Sequence, residues 1–130
     1  GKYFFKAGGG SLRFAAGDAQ LYKDTTSYSV TDQTVEKMKG IKIYASGSVR
    51  LKVTAYTDTY AELFIRHNGK NLETIEVPDG SDQKYQKDID ISAGDEISVH
   101  GRTNGNMGKF LSVKNFEIGT DTGLIYEKTK

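Results

Sequence analysis

The feature that most restricts the fold of this sequence is an alternation of apolar and polar side chains with a period of two residues. From Val49 to residue 55, apolar residues fall on one side of the chain, and charged or hydroxylated residues fall on the other. The alternation resumes after residues 57–59, where Ala61, Leu63 and Ile65 share one side. A period of two is that of a β-strand with one buried face. The chain is therefore predicted to form sheets whose apolar faces meet in a core.

Composition supports an all-β chain. The 130 residues include 15 Gly, one Pro and eight Tyr, a mixture that favours short strands joined by turns. About eight strands are expected, with turn signals roughly every ten residues. This pattern predicts an antiparallel two-sheet β-sandwich of jelly-roll type. We assign residues 1–10, which end in Gly8-Gly9-Gly10, to an N-terminal arm or linker and residues 11–130 to a single β-sandwich domain.

The first predicted hairpin joins residues 49–56 to residues 60–66 through a three-residue loop. In this register apolar residues meet apolar residues at every inner position, which favours the pairing. Like charges and an exposed ring then share the outer face. The facing outer pairs are Arg50 with Arg66, Lys52 with Phe64 and Tyr56 with Tyr60.

Two more hairpins and two irregular strands are predicted. Asn68-Gly69 suits a type I′ turn, because both residues tolerate positive φ. Residues 93–95 predict a third hairpin. The apolar residues change from one side of the strand to the other near Glu73 and again between Val113 and Phe116. Each change indicates a β-bulge.

Other elements are less defined. Residues 32–39 are consistent with one or two helical turns or with a charged loop that leads into a strand at Ile41. Residues 124–126 predict a short terminal strand. The expected core consists of Leu51, Val53, Leu63, Ile65, Ile97, Val99 and Phe116.

Charge and cysteine content exclude several classes of function. Eighteen Lys and Arg against seventeen Asp and Glu give a net charge of +1, which lacks the basic excess of a nucleic-acid binder. The absence of Cys excludes thiol catalysis and Cys-based zinc sites. No apolar run is long enough for membrane insertion. We therefore expect no nucleic-acid partner, no membrane insertion and no cofactor.

The sequence lacks a recognisable catalytic constellation. His67 and His100 are the only imidazoles, and neither lies in the context of a nucleophile. Both are expected at the surface, so no enzymatic activity is predicted. The loop that contains Asp79 and Asp82 either binds Ca²⁺ or is an Asp/Gly-rich turn.

The outward side chains of two hairpins form the candidate ligand site. Aromatic rings beside hydrogen-bonding groups suit sugars, because a ring covers an apolar sugar face while polar groups bond the hydroxyls. The same surface is also suited to a contact with another subunit. Alternatively, the second sheet or the N-terminal arm covers Phe64. The candidate residues are Tyr56, Tyr60, Phe64, Arg66, His100 and Arg102.

Four stretches together resemble a β-sandwich module of bacteriophage and prophage tail proteins. They are GSVRLKV at 47–53, FIRHNGK at 64–70, SAGDEI at 92–97 and VKNFEI at 113–118. The family pattern has a G-x-V-R strand, an I-x-K-N-G hairpin, a G-D-x-I turn and strand, and a V-x-N-F-x-I strand. His67 stands where the family usually carries Lys.

The resemblance implies a non-catalytic binding module of a tail fibre, baseplate or minor structural protein, directed at carbohydrate on a host surface. It also implies a homo-oligomer and a location in the virion or outside the cell. Two alternatives remain open. One is a structural oligomerisation domain of a tail or adhesin protein, and the other is a carbohydrate-binding module of a secreted glycoside hydrolase, since both share this fold.

Overall fold

The structure is a computed structural model that describes residues 2–6 and 13–121. Gly8-Gly9-Gly10 and the predicted strand at 124–126 lie outside these residues, and the division at residue 10 stays a prediction. Within the described part, no helix is long and apolar enough to cross a membrane. The strands are β1 (Lys2–Lys6), β2 (Arg13–Phe14), β3 (Ala16–Asp24), β4 (Tyr28–Val30), β5 (Glu36–Tyr44), β6 (Ser46–Thr57), β7 (Ala61–His67), β8 (Lys70–Val77), β9 (Gln83–Ile91), β10 (Asp95–Thr103) and β11 (Leu111–Thr120).

The strands form two sheets. Sheet A has the order β1-β5-β10-β7-β8. Sheet B has the order β2-β6-β11-β3, with β9 beside β6 and β4 beside β11. Pairing is antiparallel except between β1 and β5 and between β2 and β6, which run parallel. The predicted all-β, two-sheet sandwich is confirmed, and the two parallel pairs are an addition to it.

The core lies between the inward faces of the two sheets. Sheet B contributes Leu51, Val53 and Phe116, and sheet A contributes Leu63, Ile65, Ile97 and Val99; each is at most 2% exposed. All seven residues of the predicted core are therefore buried. Burial of each such side chain contributes about 1.5–3 kcal/mol relative to exposure.

The first predicted hairpin is wrong, because its two strands belong to different sheets. β6 pairs with β9 and β11, whereas β7 pairs with β8 and β10. Arg50 faces Asp88 rather than Arg66, and its Nε donates to the Asp88 carboxylate at 2.8 Å. The third predicted hairpin is wrong for the same reason, since β9 lies in sheet B and β10 in sheet A.

The Asn68-Gly69 hairpin and both bulges are confirmed. Asn68 and Gly69 have φ values of 51° and 81°, as a type I′ turn requires. On β8, Leu72 is the extra residue between two pairs of the ladder with β7, next to the position expected. On β11 the register shifts between Lys114 and Glu117, where Asn115 has a φ of 55°.

The helical alternative for residues 32–39 is wrong. A bend at residues 32–34 is followed by β5, which begins at Glu36. Val99 and His100 of β10 pair with Lys39 and Lys37 across a register shift, and Met38 between them is buried. The conformation of this segment is therefore determined by its pairing with β10 and not by the pattern of charges in its own sequence.

An ion pair joins the two sheets along one side of the sandwich. Lys39 Nζ of β5 lies 2.9 Å from Asp24 Oδ2 of β3, and the two side chains are 9% and 14% exposed. The Tyr28 hydroxyl donates to the same carboxylate, and Lys39 lies 5.5 Å from the ring centre of Tyr22. Burial alone would raise the pKa of Asp24, but hydrogen bonds from Tyr28 and Lys39 hold that pKa well below its usual range.

Removing the Asp24 charge is expected to lower the free energy of unfolding by about 3 kcal/mol, because it leaves a mostly buried ammonium without its counter-ion. We predict that Asp24→Asn is destabilised and that Asp24→Asn/Lys39→Met recovers part of the loss. Because the folded pKa of Asp24 is depressed, its stabilisation is present above the unfolded pKa of about 3.9 and is lost as the pH falls below it. Urea unfolding of the parent, the two single variants and the double variant, repeated as the pH is lowered, measures the loss of stability and its pH dependence. If the losses in the two single variants add up to the loss in the double variant, the ion pair does not couple the two residues.

Candidate functional site

The outer face of sheet A carries four of the predicted site residues. Phe64 of β7 faces His100 of β10, and the neighbouring outward positions of these strands carry Arg66 and Arg102. Tyr60 lies at the same end of the sheet as Arg102, immediately before β7. The structure thus brings five of the six candidate residues to one sheet and its edge.

Phe64 is not an open platform for a ligand. Its side chain points away from the core, yet the residue is only 9% exposed. The guanidinium carbons of Arg66 and Arg102 lie 5.7 Å and 5.8 Å from its ring centre. The expectation of an exposed ring is wrong, because two cationic side chains cover it through cation–π contacts.

The accessible ring at this face belongs to Tyr60, which is 46% exposed. Tyr60 borders a groove of about 310 Å³ where β7 begins and β10 ends. We call this the Tyr60 groove. Its lining residues are Gln33, Tyr60, Ala61, Glu62, Arg102, Thr103 and Asn104.

Hydrogen bonds between three loops fix the polar wall of the Tyr60 groove. Gln33 Nε2 donates to the Asn104 carbonyl at 2.8 Å, and Asn104 Nδ2 donates to the Thr59 hydroxyl at 2.9 Å. Below them, the Thr103 amide donates to the Asp32 carbonyl at 2.8 Å. These bonds hold the amide side chains in one orientation before any ligand arrives, which reduces the entropy cost of binding.

Charged groups line the other wall. Arg102 Nε donates to Glu62 Oε1 at 2.7 Å, so this guanidinium and carboxylate orient each other. Burial and the nearby carboxylates of Glu76 and Glu62 raise the pKa of Tyr60. The Tyr60 hydroxyl therefore stays protonated at neutral pH and can donate as well as accept. The groove offers an aromatic face, donors and acceptors, the groups that bind a sugar ring.

Tyr56 lies elsewhere. It sits on β6 in sheet B, opposite Ser112, and its ring packs 5.8 Å from that of Phe110. The prediction that Tyr56 stands beside Tyr60 depended on the incorrect hairpin. Sequence reasoning missed the groove residues Gln33 and Asn104, whose only signal was a position in polar, turn-rich segments.

The histidines make structural contacts. His67 Nε2 lies 2.7 Å from Asp95 Oδ2, which joins the β7–β8 turn to the start of β10. His100 Nε2 lies 2.9 Å from the Ser98 hydroxyl. Among the described residues, no group of three or more His, Cys, Asp or Glu is arranged to hold a metal ion. In the loop that contains Asp79 and Asp82, for which Ca²⁺ binding and an Asp/Gly-rich turn were the two alternatives, Asp82 Oδ2 lies 3.3 Å from Lys114 Nζ.

Sequence comparison finds no match to any protein-family model or to any curated protein. Solved structures do share the fold. The insecticidal delta-endotoxin Cry8Ea1 of Bacillus thuringiensis matches with a TM-score of 0.56 and 9% identity, over 71% of this chain and 19% of that one. The CBM22-1–GH10 modules of Clostridium thermocellum xylanase 10B match with a TM-score of 0.53 and 8% identity, over 82% and 29%.

A third match is dimeric latent PorU from Porphyromonas gingivalis, with a TM-score of 0.53 and 10% identity, over 90% of this chain and 14% of that one. This chain thus spans less than a third of each of these three proteins. Individual carbohydrate-binding modules match with TM-scores below 0.5. At such identities the likeness establishes the β-sandwich fold.

The environment of His100 predicts a loss of stability in mild acid. Burial lowers the pKa of His100, and the charges of Arg66 and Lys37 lower it further, against a smaller opposing effect of Glu96. The folded state thus binds fewer protons than the unfolded state below the unfolded pKa of about 6.5, so the contribution of His100 falls as pH decreases through that value. Denaturant midpoints at pH 7.5, 6.5 and 5.5 should fall less in His100→Gln than in the parent protein.

Ser98→Ala provides the matched control, because it removes the hydroxyl partner of His100 and keeps the titrating ring. Its midpoint should keep the pH dependence of the parent protein. Identical pH dependence in His100→Gln and the parent would contradict the prediction.

Proposed function

We propose that this chain is a non-catalytic carbohydrate-binding module and that the ligand binds in the Tyr60 groove. The observation that carries the proposal is an exposed tyrosine ring beside fixed amides and a fixed Arg–carboxylate pair. A sugar ring presents an apolar face and a rim of hydroxyls, so it needs both kinds of group at once. The volume of about 310 Å³ is at the lower end for small-ligand sites, and it suits one sugar ring of a longer chain.

The fold gives independent support. A sandwich of this architecture occurs in the xylanase 10B modules, whose structure contains xylohexaose. Loops at the end of a rigid sandwich present ligand-binding side chains without disturbing the core. The Tyr60 groove is built in this way, since its lining combines the first residues of β7, the last of β10 and the loop at Gln33.

Substitution of the ring tests the site directly. Tyr60→Ala should weaken glycan binding at least tenfold, because one lost ring contact of about 1.4 kcal/mol changes the affinity by that factor. Its thermal stability should change by no more than about 0.5 kcal/mol, since Tyr60 is an exposed residue. A glycan array identifies the ligand, and titration calorimetry of parent and variant measures the difference.

Two further variants sharpen this test. Asn104→Ala should weaken binding as well, because it removes the amide that Thr59 holds in place. Tyr56→Ala is the control at a tyrosine on the other sheet, and its glycan affinity should equal that of the parent. Equal losses at Tyr56 and Tyr60, or no loss at Tyr60, would reject the Tyr60 groove as the site.

A subunit contact is the second candidate for this face. Arg66 favours it, because its half-buried guanidinium lies over the ring of Phe64 on the outer face of sheet A, and Arg and aromatic residues are enriched at subunit interfaces. If Arg66→Ala converts an oligomer to a monomer in sedimentation while glycan binding persists, the face is an interface and the groove is a separate site.

The biological setting is a finer proposal that rests on the sequence resemblance. We propose that the glycan belongs to a host-cell surface and that the chain is part of a phage or prophage tail, in the virion or otherwise outside the cell. Tail genes beside the parent gene would support this setting. A glycosidase domain in the same polypeptide would instead favour a module of a secreted enzyme.

A further inference from the structure

A second groove crosses the outer face of sheet B, on the opposite side of the sandwich from Phe64. Its volume is about 350 Å³, slightly larger than that of the Tyr60 groove. We call it the lysine groove. The charged and amide side chains that line it are Lys23, Lys52, Lys84, Gln86, Asn115 and Glu117.

The strand register orders these side chains in rows across the sheet. Gln86 of β9 faces Lys52 of β6, Lys52 faces Glu117 of β11, and Glu117 faces Lys23 of β3. In the next row Lys84 of β9 faces Thr54 of β6. Neighbouring strands lie about 4.8 Å apart, so the first row spans about 14 Å across four strands. The lining residues thus form a row perpendicular to the strands, so an oligomer laid across the sheet would pass over the groove and contact residues of several strands.

The bulge in β11 shapes the middle of the groove. Asn115 is the inserted residue; it has a left-handed backbone, lies along β11 between the residues that belong to the two rows, and lines the groove. A non-glycine residue pays a conformational cost at such a φ, and asparagine tolerates it best. The lining of the groove therefore combines an amide on β11 with ammonium groups on β3, β6 and β9.

The lining carries more positive charge than the chain as a whole. Three lysines and one glutamate give the groove a formal charge of +2, against +1 for the entire sequence. Lys52 Nζ lies 2.8 Å from Asp18 Oδ1, and the Asp18 side chain is 69% exposed. In the described part of the chain, no carboxylate oxygen lies within 4.0 Å of the Lys23 or Lys84 ammonium. Two cations at the ends of the groove are therefore available to a ligand.

We propose that the lysine groove binds an acidic oligosaccharide, with the uronate carboxylates at Lys23 and Lys84 and the hydroxyls at Asn115 and Gln86. A ligand with one carboxylate per sugar ring can place carboxylates at the Lys23 and Lys84 ammonium groups, and its hydroxyls suit the amides and the Glu117 carboxylate that also line the groove. A nucleic acid is a weaker match, because its binding depends on an extended basic surface, whereas the chain has a net charge of +1 and this face also carries Glu117, Asp18 and Asp88. This site is separate from the Tyr60 groove, and the two proposals stand independently.

The experiment uses four-residue oligomers of galacturonate and of mannuronate, and the same oligomers after complete methyl esterification. Esterification removes the charge and keeps the sugar backbone. The parent protein should bind the acids, lose affinity as NaCl is raised, and bind the esters at least tenfold more weakly. Amide chemical shifts in ¹⁵N–¹H spectra should change around the lysine groove.

Lys23→Gln/Lys84→Gln removes the two available cations and should weaken acid binding by about 10–100-fold, the range for the loss of one or two charge-assisted hydrogen bonds. Lys42→Gln/Lys70→Gln is the matched control, because it removes two exposed charges from sheet A and should leave the affinity unchanged. Tyr60→Ala should also leave it unchanged. Melting temperatures of all variants check that the fold is intact.

Several outcomes would overturn the proposal. The first is the absence of binding by either acid. The second is an equal loss in the control pair, which would mean that only net charge matters. Tighter binding of a short oligothymidylate than of both acids would replace the sugar with a nucleic acid. Loss of acid binding in Tyr60→Ala alone would move the ligand to the Tyr60 groove.

Discussion

The arrangement of both outer faces depends on the point where the chain crosses from β6 in sheet B to β7 in sheet A. Thr57 at this crossing is fully buried, and its hydroxyl donates to the Phe110 carbonyl at 2.8 Å. Its own carbonyl accepts from the Gly80 amide at 3.0 Å. These bonds satisfy buried polar groups and tie three loops together, so the crossing has one conformation. The crossing sends Tyr56 and Tyr60 to opposite sheets, although only three residues separate them.

The alternation of apolar and polar residues predicts which side of a strand is buried. It does not indicate which other strand lies beside it. For this reason the core residues, the Asn68-Gly69 turn and both bulges could be predicted from the sequence. The separation of β6 and β7 into different sheets could not be predicted, because Val53 and Leu63 are equally well buried beside each other or across a sandwich. A short polar loop fits a hairpin and a sheet crossing equally well. Partner choice depends on long-range contacts that local patterns do not encode.

The candidate site was predictable in part for the same reason. The alternation of side chains along the strands predicted that Phe64, Arg66, His100 and Arg102 point away from the core. The register of β7 with β10 agrees, since it places the four residues on one face. The alternation could not indicate that Arg66 and Arg102 cover the ring of Phe64, because this depends on the length and conformation of the arginine side chains. Gln33 and Asn104 were missed because loops far apart in sequence bring them together, through a bond that spans 71 residues.

The cationic side chains of the two outer faces have different partners. For ligand binding, this local arrangement matters more than the near-zero net charge of the chain. On sheet A, Arg102 is committed to Glu62 and to the ring of Phe64, so its charge organises the protein rather than a ligand. On sheet B, Arg50 binds Asp88 and Asp18, whereas within the described residues no carboxylate oxygen lies within 4.0 Å of the Lys23 or Lys84 ammonium. Exposed ion pairs contribute little stability, so unpaired lysines on this face cost the fold little. A net charge of +1 therefore does not show that Arg102 is committed to contacts within the protein on one face while the Lys23 and Lys84 ammonium groups are available to a ligand on the other.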